Sequence, residues 1–118
     1  MAKKLRANQQ DGFVFEAYAE ASSKVENVKR VAGEMRDDPV RWARLDDLHR
    51  RARNYREQAR VRLMAFEDVD AELLTPQLLS KDELEELVEE RARLVGEIFI
   101  RLYQIDLVSK AARKALGG

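Results

Sequence analysis

His49 is the only histidine in the chain, and Asp46 stands three residues before it. That i, i+3 spacing is how helical bundles present a pair of metal ligands. A ferritin-like centre needs several such pairs from facing helices; Glu97 could add a ligand, and a second copy could double the set. A solvated or helix-paired histidine needs none of this and is the reading adopted. Asp68, Asp70 and Glu72 have the spacing that opens a calcium loop. Leu73 then stands where the turn glycine belongs and Leu79 where the bidentate glutamate belongs, which excludes one. The chain has no cysteine, hence no disulfide, thiolate chemistry or cysteine metal site. There is no Gly-rich phosphate loop, and no Ser or Cys nucleophile with an oriented base. No catalytic, cofactor-binding or metal residue is assigned, and no small-molecule substrate is evident. The reading is of a protein that is not an enzyme.

Two family resemblances touch these residues. Arg44-x4-His49 is similar to the R-x4–6-H pair of HEPN ribonucleases, which are also small helical proteins; the match covers two residues. The order of three helices resembles the all-helical chorismate mutases, which hold a dicarboxylate with arginines. In that family the first helix supplies basic residues. Here its inward stripe carries Val, Tyr and Ala, and Lys24, Lys29 and Arg30 would have to substitute.

The elements that would position any site are helical. Charged residues make up 37% of the chain against five Gly and two Pro, which points to an all-α domain, and 45% hydrophobic residues exclude wholesale disorder. At 118 residues the chain is one domain with a modest core. Val14, Tyr18, Ala21, Val25, Val28, Ala32 and Met35 repeat at alternating spacings of 4 and 3, a heptad seam over a first helix of about 13–35. Phe13, Phe15 and Val31 widen it. Asp38-Pro39 then supplies an N-cap and a first-turn proline. So short a link forces an antiparallel hairpin. The second helix, about 39–66, has a core stripe of Trp42, Leu45, Leu48, Ala52, Tyr55, Ala59, Leu63 and Phe66. Residues 67–80 form a connection with a short helical turn at Thr75-Pro76. Residues 1–12 read as a flexible basic arm, lacking the apolar core of a signal peptide. No apolar run approaches the ~20 residues that cross a bilayer. The protein is therefore placed in the cytoplasm, or in a particle assembled there.

The second helix carries eight arginines against Asp46, Asp47 and Glu57. Such a helix can hold phosphate backbones, because each neutralised phosphate releases counterions. The third helix, about 81–116, opens with Asp82, Glu83, Glu85, Glu86, Glu89 and Glu90. Running antiparallel to the second, it would set those acids beside Arg53, Arg56, Arg60 and Arg62. Arg41, Arg44, Arg50 and Arg51 would remain as the candidate anion or nucleic-acid contacts.

The third helix has more apolar surface than one domain requires. Ser80 and Glu83 form a capping box, with Leu79 and Leu84 as a staple, and Gly117 and Gly118 supply the stop. On a helical projection Leu84, Leu87, Val88, Val95, Ile98, Leu102, Ile105, Ala112 and Leu116 make the core face. Ile100, Tyr103, Leu107 and Ala111, with Phe99 on the flank, make a second seam on the outer side. Either the connection folds back over that seam, or a second helical surface docks there. An uncovered apolar stripe of this size is unusual on a soluble monomer, which favours docking. The helix also outruns its partners by about eight residues.

The fold expected is an elongated antiparallel three-helix bundle, a hairpin plus a long C-terminal helix with coiled-coil-like packing. The function expected is non-enzymatic. The protein is an assembly or adaptor subunit that meets itself, as a homo-oligomer, or another helical protein through Phe99, Ile100, Tyr103, Leu107 and Ala111. The alternative is a nucleic-acid-associated helical protein. Its segment Leu5–Tyr18 resembles small phage terminase subunits, which would imply a packaging role. Neither reading involves a membrane.

Overall fold

Asp38 accepts a hydrogen bond from the Arg41 backbone N–H at 3.2 Å, and Pro39 occupies the first turn of the helix it opens. Ser80 and Glu83 cap the next long helix reciprocally: the Ser80 N–H donates to Glu83 Oε1 and the Glu83 N–H to Ser80 Oγ, both at 3.1 Å. These two caps divide the chain into three helices. The computed structural model describes the backbone of residues 2–117 and the side chains of residues 12–117. Helix α1 spans Ala2–Glu34, α2 Pro39–Leu73 and α3 Lys81–Gly117, with one 3-10 turn at Pro76–Leu78. There is no strand among the described residues.

Two boundaries, one overhang and one register differ from the sequence expectation. The backbone of α1 is helical from Ala2, through the segment read as an arm, since nothing from Ala2 to Gln10 breaks a helix. α2 continues past Phe66 to Leu73, because the first residue that cannot continue it is Pro76. Its added turns are held in place: Val69 is buried and Asp70 accepts from Arg91 Nε of α3 at 2.6 Å. The Arg91 guanidinium also lies over the Phe66 ring, 4.9 Å from its centroid. The connection is thereby short. The three helices, 33, 35 and 37 residues long, leave α3 no eight-residue overhang. Ala115 and Leu116 pack against the core at its end.

The register then follows from cross-helix pairs. Arg56 meets Glu26 at 2.9 Å, Lys24 meets Asp106 at 2.9 Å, and Arg62 stands 3.6 Å from Glu97. α2 runs antiparallel to both neighbours, and α1 parallel to α3. The acidic opening of α3 accordingly lies beside the end of α2, itself acidic at Glu67, Asp68, Asp70 and Glu72, and not beside Arg53–Arg62. Each arginine there has another fate, as with Arg60, which pairs with Glu57 on its own helix.

The core is one seam along the bundle. Val14, Ala21, Val25, Val28, Val31 and Ala32 come from α1, Leu45, Leu48, Ala52, Ala59, Leu63, Phe66 and Val69 from α2. Leu94, Ile98, Leu102, Ile105, Val108 and Ala112 complete it from α3. Leu94 and Val108 join this core beyond the residues expected from sequence, Val88 is exposed, and Val95 packs half-buried against it. Trp42, Phe13 and Phe15 lie outside this core. The radius of gyration is 18.3 Å and the extents are 61 × 25 × 17 Å. A compact domain of this length would have a radius near 13 Å. The bundle is a rod.

Candidate interaction surface

Among the described residues, the side of α3 turned away from α1 and α2 is apolar and uncovered. Ile100, Tyr103 and Leu107 are 57%, 62% and 47% exposed. Phe99 and Ala111 are half-buried and bridge from this face to the core. The connection after α2 does not fold over it: Leu74 and Leu78 are 80% and 77% exposed. Of the five residues singled out in sequence, three form the outer face and two its margins.

Sequence reasoning missed the contribution of α1. Phe13 is 61% exposed and its ring stacks on Phe99, centroids 5.6 Å apart and planes at 27°. The stack widens the apolar face toward a shallow groove lined by Ala17, Ala21, Leu102 and Tyr103. Phe13 sits one residue off the α1 heptad, and that offset was the signal available. Helix geometry explains the rest. At 100° per residue, Ile100, Tyr103 and Leu107 lie about 180° from the core line of Ile98 and Ile105.

The candidate anion contacts are mostly engaged locally. Arg50 pairs with Asp46 at 2.7 Å, Arg51 with Asp47 at 3.1 Å, and Arg41 with its capping Asp38 at 3.6 Å. Arg44 has no ion-pair partner among the described residues. A groove of about 500 Å³ between the end of α1 and the start of α2 gathers other cations: Lys29, Arg36 and Arg53, beside Trp42 and His49. Burial, then the Arg53 guanidinium and the Lys29 ammonium, hold His49 below the ordinary imidazole range. Arg44 does not line this groove, so the Arg44–His49 pair is not assembled into one site. Asp46 is committed to Arg50, and the described residues contain no group of three metal-capable side chains.

Charge is therefore segregated along the rod. Among the described side chains, one end holds the ten acids of residues 67–90, with Lys81 and Arg91 the cations of that stretch of α2 and α3. The other end has Lys29, Arg36, Arg44 and Arg53 with Lys110, Arg113 and Lys114 of α3 in excess of its acids, of which Glu34, Asp38, Asp46 and Asp47 are paired with Arg30, Arg41, Arg50 and Arg51. No helix among the described residues is long and apolar enough to cross a membrane. No protein-family model, no curated protein and no solved structure matches the chain.

Proposed function

We propose that this protein acts without catalysis, as a helical assembly subunit that associates with a second copy of itself through the outer face of α3. The observation that carries this is the uncovered run of Ile100, Tyr103 and Leu107 on a helix whose opposite face already fills the core. A soluble rod gains nothing for its own stability from such a face, whereas a partner helix would bury it. The zero net charge agrees with association between copies, since it places no global repulsion between them. The reading places the protein in the cytoplasm or in a particle assembled there, as a structural component of a larger complex.

Light scattering of the purified chain tests it: at tens of micromolar it should exceed the mass of a monomer. Ile100→Glu combined with Leu107→Glu should return it to a monomer with far-UV circular dichroism unchanged, because neither side chain fills the core. A strict monomer in the unsubstituted chain, or unfolding by the double substitution, would remove the reading.

A second reading rests on a different observation, the groove in which Lys29, Arg36 and Arg53 surround the partly exposed Trp42. Arg36 and Arg53 form no ion pair among the described residues, and the one carboxylate lining the groove, Asp46, is held by Arg50. Such cations beside an aromatic face suit a single-stranded nucleic acid, whose phosphates and bases would engage the two in turn. Arg36→Glu with Arg53→Glu should abolish binding to a labelled oligonucleotide. No binding at low salt would exclude it.

A further inference from the structure

We infer that two copies pair their α3 helices antiparallel, in heptad register, about a two-fold axis between residues 101 and 102. The inference rests on the self-association proposed above and adds its orientation and register. Along the outer side of α3, Glu89, Arg93, Gly96, Ile100, Tyr103, Leu107, Lys110 and Lys114 follow one another at alternating spacings of 4 and 3. That is the period of a coiled-coil seam, and the eight fall within about 100° of one another around the helix.

The order of residue types along the seam selects the orientation. Acid stands at the start, apolar residues in the middle and basic residues at the end. A parallel partner would set Glu89 against Glu89 and Lys114 against Lys114. An antiparallel partner, turned about the seam's centre, sets each Glu89 against the other copy's Lys114 and each Ile100 against its Tyr103. Neither Glu89 nor Lys114 has an ion-pair partner within the described residues of its own chain. Arg93 would face Lys110, but both are already neutralised: Arg93 by Glu90 and by Glu97 at 2.8 Å, Lys110 by Asp106 at 3.0 Å. The same turn brings the acidic end of each rod beside the basic end of the other.

Gly96 is the independent observation. It lies in the middle of α3, exposed, where glycine disfavours the helix. A Cβ built there meets no atom within 4 Å, so nothing in the monomer calls for its absence. In the antiparallel register Gly96 faces Leu107 of the second copy. A residue with no side chain leaves the hole into which that leucine fits, on both sides of the axis.

The chain has no cysteine, so introduced thiols report this geometry without background. Glu89→Cys and Lys114→Cys would be prepared separately, equilibrated together as folded protein and oxidised mildly. The mixture should yield a cross-linked dimer. Neither variant alone should cross-link, because identical positions would lie roughly 38 Å apart along the seam. Gly96→Leu, which occupies the seat of Leu107, should weaken the dimer about tenfold or more with helicity unchanged. Self-cross-linking by each variant alone would show a parallel pair. That result would overturn the register and leave the self-association standing. A dimer by light scattering that cross-links in no combination, or that tolerates Gly96→Leu, overturns the register as well. A monomer throughout overturns both, leaving the face for a different chain.

Discussion

Asp106 shows how much of this fold depends on single polar side chains. It accepts hydrogen bonds from Lys24 of α1 and pairs with Lys110 one turn along α3. The Lys24 ammonium first, and then Lys110, hold its carboxyl below the usual carboxylate range. A depressed carboxylate contributes stability that is fully present above its unfolded pKa and is lost as pH falls through the folded one. Asp106→Asn should therefore cost about 0.5–1 kcal/mol near neutral pH. The cost should shrink on acidification below the ordinary carboxylate pKa, as followed by thermal melts across pH. Lys24 and Asp106 are 82 residues apart in sequence, and no local pattern announces their meeting. The caps at Asp38 and Ser80 were legible because each is complete within four residues. The pairs Arg56–Glu26 and Arg91–Asp70 were not, because each depends on how one helix slides against another.

α3 carries two apolar seams, one buried in the core and one exposed, and substitutions should divide accordingly. Ile98 is fully buried, and Ile98→Ala should cost about 2–5 kcal/mol in denaturant unfolding. Gly96→Ala, two residues away and facing outward, should instead stabilise the isolated helix by up to about 1 kcal/mol. If Gly96→Ala destabilised the unassociated monomer, that side of α3 would belong to the core. The core faces of α1 and α2 could be read from periodicity, since Val25, Val28, Leu45 and Leu48 recur at helical spacing. Trp42 and Phe13 misled because size and hydrophobicity place a residue inside only when a neighbour is there to cover it. The end of α2 misled in a different way. Acidic residues 67–72 look like a linker by composition, yet contain no residue that breaks a helix.

The molecule is a 61 Å rod of zero net charge whose described side chains are predominantly acidic toward one end and basic toward the other. Composition averages this segregation away, and so excludes only a global field. Two copies side by side and antiparallel would neutralise each other's ends, and salt should loosen them moderately. Raising NaCl from roughly 50 mM to 500 mM shortens the Debye length from about 14 Å to about 4 Å, screening charge pairs across the contact while leaving the apolar seam intact. Sedimentation should then show a weaker dimer but not its loss. Oligonucleotide binding in the groove of Lys29, Arg36 and Arg53 should instead fall steeply, in proportion to the phosphates neutralised. The two salt profiles separate the readings in one titration.

The amino-acid sequence alone determined the all-helical class, the two capped turns, most core stripes and the existence of a second apolar seam on α3. These follow from interactions within a few residues, where spacing and side-chain chemistry suffice. Tertiary structure decided the register: which arginines meet which acids, that both acidic segments share one end, and that the outer seam is left uncovered by the described residues. Register is set by packing along the whole length of the helices, as each core residue finds its gap in the facing helix. Gly96 shows the difference in a single residue. In sequence it is a weak helix former, and only the structure shows that it lies exposed on the outer side of α3, where no atom of the described residues calls for its missing side chain.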